Sequence, residues 1–254
     1  MLRPPAALHA AMSSAATASG IVTNANDVLS KMNERCEKIG RDPTSVLLVP
    51  VSKTKPQEAI MELYDAGWRH FGENYFQEML DKAAALPKDI RWHFIGHLQS
   101  GKANRLIRDV PNLAVIETVD TLKLATKLNG ACELADRTDA LSIYIQVDTS
   151  GEDSKSGVSH DAAALLELAD AVKDKCPRLQ VTGLMTIGAP GDLTCFDKLV
   201  ASRATLAAHW AVPDQSLALS MGMSGDYLDA IERGSTSVRV GSTIFGARDY
   251  ANKA

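Results

Sequence analysis

The sequence predicts an α/β fold, a single (β/α)8 TIM-like barrel with an extra N-terminal helix. From residue 45 onward, short apolar runs rich in β-branched residues alternate with longer segments of helical period, the signature of strand–helix units around a parallel sheet. Eight strand-like runs can be counted, and no Pro/Ser-rich linker divides them after Pro43, which favours one closed barrel over two domains for 254 residues. No GxGxxG follows the first strand, which weakens the alternative of an open dinucleotide-binding sheet.

Residues 1–24 are rich in Ala and Ser, with Arg3 as the only clearly basic side chain and Asp27 as the first acidic one of the chain. Such a stretch reads as a weak transit peptide or as a disordered tail ahead of a barrel over 25–254. The expected location is the cytoplasm, with a mitochondrion or plastid as the alternative that this N-terminus raises. A helix over 27–39 precedes the first strand, 45–52 (SVLLVPVS). The other strands are expected at 70–73, 91–95 (RWHFI), 113–118 (LAVIET), 141–147 (LSIYIQV), 179–185 (LQVTGLM), 216–220 and 237–240. The helical segments between them are 57–66, 75–85, 101–108, 121–135, 161–175, 195–209 and 227–233. Asp161 before three alanines shows the start signal clearly, a capping acid ahead of strong helix formers.

The charge balance, 27 Lys+Arg against 31 Asp+Glu for a net −4, offers no basic footprint for a nucleic-acid backbone. Apolar stretches are broken within about ten residues, short of the roughly 18 to 20 needed for a transmembrane helix. Cys36, Cys132, Cys176 and Cys195 lie far apart with no CxxC pair, a pattern of buried thiols rather than a zinc site or disulfide framework.

A barrel gathers its chemistry at the C-terminal ends of its strands. Those ends carry Lys53, Glu73-Asn74, Gly96-His97, Glu117 to Asp120, Asp148-Thr149, Met185-Thr186, Ser220 to Ser224 and Arg239 to Ser242. Lys53 emerges from an apolar strand, where desolvation disfavours an ammonium and readies an amine for Schiff-base formation with an aldehyde; the alternative is a lysine that snorkels to solvent. Lys55, in the loop, is the competing amine. Near the last two strand ends, Met221 to Asp226 and Val240 to Thr243 supply glycines and hydroxyls that suit a phosphate, in the loops where barrels frequently bind one. An aldehyde-reactive lysine and a phosphate cradle together suit pyridoxal 5′-phosphate. Arg239, two residues before Gly241, would keep the pyridine nitrogen unprotonated and weaken the ring as an electron sink, or else is an inward arginine paired to a carboxylate.

Three segments look like sites and carry less. Gly96 to Ala103 nearly matches the nucleotide-binding GxxxxGK[ST] pattern, but Ala103 lacks the hydroxyl that would bind Mg²⁺. His93 and His97 have Phe94 where a zinc-protease motif needs glutamate, and they fall across a strand end, so no metal is expected. Residues 148–157 read as a solvated loop, placed where a lid is conceivable.

Val49-Pro-Val-Ser-Lys53, His70-Phe-Gly-Glu-Asn74, Trp92 to Gln99, Gly183-Leu-Met-Thr186, Leu219 to Ser224 and Val238 to Gly246 together resemble the pyridoxal phosphate homeostasis protein family. The fold of that family resembles the barrel domain of alanine racemase. The resemblance spans about 45–250 and leaves the N-terminal tail outside it. It implies that Lys53 holds pyridoxal 5′-phosphate as a Schiff base, that Ser224, Gly241 and Ser242 bind its phosphate, that Arg239 faces the pyridine nitrogen and that Asn74 lies beside the cofactor. It implies a carrier or buffer in intracellular vitamin B6 homeostasis with no established catalytic residue. The alternative is a racemase-like enzyme with Tyr75 or Tyr144 as acid or base. Such a racemase usually needs a second β domain, and only Gly246 to Ala254 follow the eighth strand. The expected partners are pyridoxal 5′-phosphate and the apo forms of enzymes that use it, without nucleic acid or membrane, for a monomer or weak dimer.

Overall fold

The computed structural model describes residues 19–151 and 156–247. Its strands are β1 (Leu47–Pro50), β2 (His70–Glu73), β3 (Arg91–Phe94), β4 (Leu113–Val119), β5 (Leu141–Asp148), β6 (Val158–Ser159), β7 (Leu179–Met185), β8 (Ala218–Ser220) and β9 (Ser237–Val240). The ladders are all parallel, in the order β1-β9-β8-β7-β5-β4-β3-β2. Between β1 and β2 the ring is completed by a Val51–Gly72 bridge and by the Ser52 N–H donating to Gly72 O at 3.0 Å. Eight strands therefore form the expected barrel, and β6 only extends the far end of β5.

Helices α1 (Gly20–Lys38), α2 (Gln57–Asp65), α3 (Phe76–Ala85), α4 (Ala103–Asp109), α5 (Leu122–Leu134), α6 (Ala162–Lys175), α7 (Thr194–His209), α8 (Tyr227–Glu232) and α9 (Ser242–Phe245) accompany the strands. Their apolar faces meet the outward side chains of the strands, among them Phe71, Trp92, Phe94, Ile116, Ile143, Leu219 and Val238, in one continuous core. Each such buried apolar side chain contributes about 1.5–3 kcal/mol. All four cysteines are free and buried, and burial raises the thiol pKa of Cys36, Cys132 and Cys176. Among the described residues no helix is long and apolar enough to cross a membrane.

Several boundaries differ from expectation, most at the start of the chain. The first helix begins at Gly20, not at residue 27, because the Ser19 side chain accepts the Val22 N–H and Ala25, Val28, Met32 and Cys36 form its buried face. Residues 20–24, assigned to the tail, are thus helical, and the Asn24 amide donates to Ile244 O at 3.1 Å. The first strand is shorter than expected, since Pro43–Ser45 form a 3-10 turn capped by Asp42. The transit-peptide reading falls on residues 1–18, outside the described residues.

Inside the barrel the pattern inverts. Val115, Tyr144 and Met185 form a small apolar cluster, while His93, Glu117, Ser220 and Arg239 are buried polar residues. A polar barrel interior is expensive unless every group is paired.

Candidate functional site

Val49 and Val51 both face the inner side of Gly72, so strand alternation carries Lys53 to the same inner face, at the mouth. Lys53 is half-buried there. The chain turns at once: the Lys55 N–H donates to Ser52 O at 3.0 Å, and Thr54 takes a left-handed φ of 60°. The Thr54 N–H donates to Glu78 Oε2 of α3 at 2.7 Å, which ties the turn to a helix. Lys55 is directed away, its Nζ donating to Ala247 O at 2.7 Å.

Beneath this turn, between the sheet and α3, lies a buried ionic cluster. Lys82 Nζ donates to Glu73 Oε1 at 2.7 Å and to Ser52 O at 2.9 Å, with Glu78 Oε2 at 3.3 Å. The Ser52 hydroxyl donates to Glu73 Oε1 at 2.6 Å. Burial pushes the Glu73 carboxyl above its usual range, opposed by Lys82.

On the next strand end, Asn74 is half-buried and its Oδ1 is enclosed with no hydrogen-bond partner among the described residues. Its backbone crowds Gly96, where any Cβ would collide with the Asn74 carbonyl. On the other side of β1, the Gly241 N–H donates to the Ser224 hydroxyl at 3.2 Å, drawing together the loops after β8 and β9. Ser242 follows, exposed, at the start of α9. Gly222 has a φ of 95° and its position leaves a Cβ only 2.6 Å from Ala230, so only glycine fits where the chain bends toward Ser224.

Lys53, Asn74, Ser224, Gly241 and Ser242 thus stand after four strands, β8, β9, β1 and β2, that follow one another around the barrel. Arg239 lies deeper, on β9, with 4% exposure. Its Nη1 donates to Ser220 Oγ at 2.5 Å and its Nη2 to Thr186 O at 2.9 Å. The Ser220 hydroxyl donates to Glu117 Oε2 at 2.5 Å, and Glu117 Oε1 lies 2.8 Å from His93 Nδ1. His93 Nε2 is 2.9 Å from His70 Nδ1. An ionised carboxylate only accepts, so Nδ1 of His93 carries a proton, and the contact between the rings needs one further proton, on His93 Nε2 or on His70 Nδ1. Burial raises the Glu117 carboxyl, but the His93 hydrogen bond, the charges of His93 and Arg239 and the Ser220 hydroxyl outweigh it and hold it below its usual value. Burial, followed by the His93 and Arg91 charges, lowers His70 to about 3.

The sequence located these partners without giving them work. Glu73, Glu117 and Ser220 stand at strand ends, and the spacing of His93 and His97 bears only on zinc. The signal available was alternation: His70, Gly72 and Asn74 share the inner face of β2, as Arg239 and Gly241 share that of β9. Lys82 carried no such signal, being one more lysine on a helix. His97 is exposed on its loop, apart from the buried His93, and Ser100–Lys102 form a 3-10 turn before α4. The 148–157 loop is described only in part, with the Gln146 amide donating to Ser156 O at 2.7 Å.

The alanine racemase N-terminal domain family model matches residues 29–249. A mouse (Mus musculus) pyridoxal phosphate homeostasis protein is 44% identical over 243 residues, covering 89% of this chain and 87% of its own. A solved protein from Bifidobacterium adolescentis, described as unknown, superposes with a TM-score of 0.78 at 34% identity over 92% of this chain and 97% of that one. PipY of Synechococcus elongatus, solved with PLP bound, has a TM-score of 0.68 at 32% identity over 85% of this chain and 100% of its own.

Proposed function

Since this chain belongs to the alanine racemase N-terminal domain family and, within it, to the pyridoxal phosphate homeostasis proteins, we propose that it binds pyridoxal 5′-phosphate and acts as an intracellular carrier or buffer of that cofactor. The observation that carries this reading is the convergence of Lys53, Asn74, Ser224, Gly241 and Ser242 at neighbouring strand ends of one barrel mouth.

The residues present fit the group. A phosphate needs closely spaced donors, and the Gly241 N–H and Ser224 hydroxyl already meet there, with the Ser242 hydroxyl adjacent. An acceptor with no partner among the described residues, Asn74 Oδ1, is enclosed beside the lysine strand. When bound, the cofactor supplies an electrophilic aldehyde and an electron-withdrawing pyridine ring. Lys53 would supply the amine that such an aldehyde takes up, and the turn around Thr54 keeps that amine at the mouth. Ser224, Gly241 and Ser242 would hold its phosphate, Asn74 would flank its ring, and Arg239 would serve the pyridine nitrogen as a donor that cannot give up its proton.

That arrangement suits storage and delivery better than turnover. Tyr144, one candidate acid–base group, is buried against Val115 and Met185, and burial followed by the Glu117 charge raises its phenol pKa, away from use as a base. Apo enzymes that require the cofactor are the proposed recipients.

The test is chemical. Purified protein incubated with pyridoxal 5′-phosphate is reduced with borohydride, digested and mapped by mass spectrometry, and the label is expected on the peptide containing Lys53. A label on Lys55 alone, or on no lysine, sinks the assignment. Steady racemisation of any amino acid above the rate of free cofactor would overturn the carrier reading.

A further inference from the structure

The interior of the barrel contains more polar machinery than a lysine and a phosphate cradle require. Arg239, Ser220, Glu117, His93 and His70 form an unbroken hydrogen-bonded chain, with links of 2.5, 2.5, 2.8 and 2.9 Å. It crosses the barrel from β9 and β8 through β4 to β3 and β2, and Glu117 is fully enclosed. Such a chain is costly to bury, and hydrophobic residues of similar volume commonly serve stability as well or better.

We infer that Glu117 and His93 are positioning residues for Arg239, fixing its guanidinium from within the barrel and thereby setting the electronic state of the pyridine ring that the barrel mouth would hold. This rests on the cofactor reading given above. The geometry assigns each link a task. Nη1 and Nη2 of Arg239 are both committed, to Ser220 Oγ and Thr186 O, so the plane of the guanidinium is fixed independently of any ligand. Ser220 is the relay: its hydroxyl oxygen accepts from Arg239 while its O–H donates to Glu117. Glu117 supplies the buried counter-charge, and His93 occupies its other oxygen, so the carboxylate cannot rotate away from Ser220. His70 closes the chain. The other titratable groups acting on it are Tyr144, on which Glu117 acts, Asp226, whose charge acts on Arg239, and Arg91, beside His70.

A pre-set guanidinium matters for a carrier. A donor that stays charged and in place disfavours protonation of the ring nitrogen, which weakens the ring as an electron sink towards amino acids that meet the cofactor.

Two measurements on the full chain test this. In the cofactor-free protein, Glu117→Gln and Arg239→Gln each leave a buried charge without its partner, and each is expected to lower Tm by about 6–12 °C. The double variant is expected to lose less than the sum of the two, because both charges are gone. Additive losses would show that the chain does not couple these residues and would overturn the inference. In the loaded protein, borohydride labelling of Lys53 is expected in wild type and in Glu117→Gln alike. Before reduction, the visible absorption band of Glu117→Gln is expected at longer wavelength than that of wild type, since a ring nitrogen without a fixed donor takes up a proton. His93→Gln, which loses the clamp but keeps the carboxylate, is expected to show a smaller displacement in the same direction. If Lys53 is labelled and the bands superimpose, the chain is structural only and this inference falls alone. If wild type is not labelled on any lysine, the cofactor reading falls and takes the inference with it.

Discussion

Glu78 Oε2 accepts the backbone N–H of Thr54 at 2.7 Å, so a side chain from α3 holds the left-handed residue that directly follows Lys53. A β-branched residue at a φ of 60° is strained by about 1–3 kcal/mol, and the Thr54 hydroxyl is enclosed without a partner among the described residues. The mouth of the barrel therefore keeps its lysine on a turn that the sequence disfavours locally and the fold enforces.

Thr54→Gly relieves both penalties against a loss of about 0.5–1 kcal/mol in unfolded-state entropy. Its Tm is expected to rise by a few degrees, on the order of 2–4 °C, in thermal melts. Glu78→Ala removes the anchor instead. Tm should fall and Lys53 labelling should slow, because the amine is no longer presented in one orientation. A faster-labelling Glu78→Ala would show that the anchor restrains Lys53 rather than presenting it.

The Ser224–Gly241 contact makes the phosphate side separable from the lysine side. Ser224→Ala with Ser242→Ala deletes two hydroxyls offered to a charged group, each worth roughly 1.5–3 kcal/mol, so cofactor retention on gel filtration should fall at least about tenfold. Ser224→Ala also leaves the Gly241 N–H without its acceptor in the empty protein. Labelling of Lys53 at saturating cofactor should survive in the double variant. Loss of labelling along with retention would mean that these serines shape the mouth rather than hold an anion.

Most of the barrel was legible because its parallel strands are short β-branched runs between helical ones, and β2, β7 and β9 fall where the pattern places them. The site was legible where alternation puts a residue at a strand end, as with Lys53, Asn74 and Gly241. It was illegible where two elements meet. Nothing local distinguishes Lys82 from the solvated lysines of other helices, and its burial follows only from Glu73 lying across from α3. The start of α1 was missed for a related reason: its first turn has no acidic residue and opens on glycine, and its buried face exists only once α8 and α9 are there to cover it.

The two histidines in the barrel make acid stability a test of the interior chain. His70 titrates near 3 in the fold against 6.5 for the ordinary value, so below pH 6.5 the unfolded chain takes up a proton that the folded one refuses. Its stabilising contribution is therefore complete above 6.5 and is lost as pH falls toward 3. In urea unfolding curves collected across that window, His70→Gln should show a shallower loss of stability with acid than wild type. Parallel curves would place the His70 ring in solvent.

The Glu73–Lys82 pair has the opposite sign, which makes it separable from His70 in the same experiment. Glu73 has a raised folded pKa, so the stability it contributes is fully present below 4.5 and is lost as pH rises through the folded value. In wild type Lys82 limits that loss by supplying a charge 2.7 Å away. Lys82→Met keeps the aliphatic stem and removes the charge, leaving Glu73 enclosed with only the Ser52 hydroxyl as a donor. The expected cost near neutral pH is about 3–5 kcal/mol, shrinking as the solution is acidified and Glu73 becomes protonated. Adding Glu73→Gln to Lys82→Met should recover most of the deficit, because the double variant buries no net charge. Since Lys82 also binds the carbonyl of Ser52, the residue before Lys53, the double variant should remain slower to label than wild type even where its stability is restored. A deficit in Lys82→Met that stays constant from acid to neutral pH would mean that Glu73 is already protonated beside Lys82, and the cluster would then be a hydrogen-bonded support rather than an ion pair.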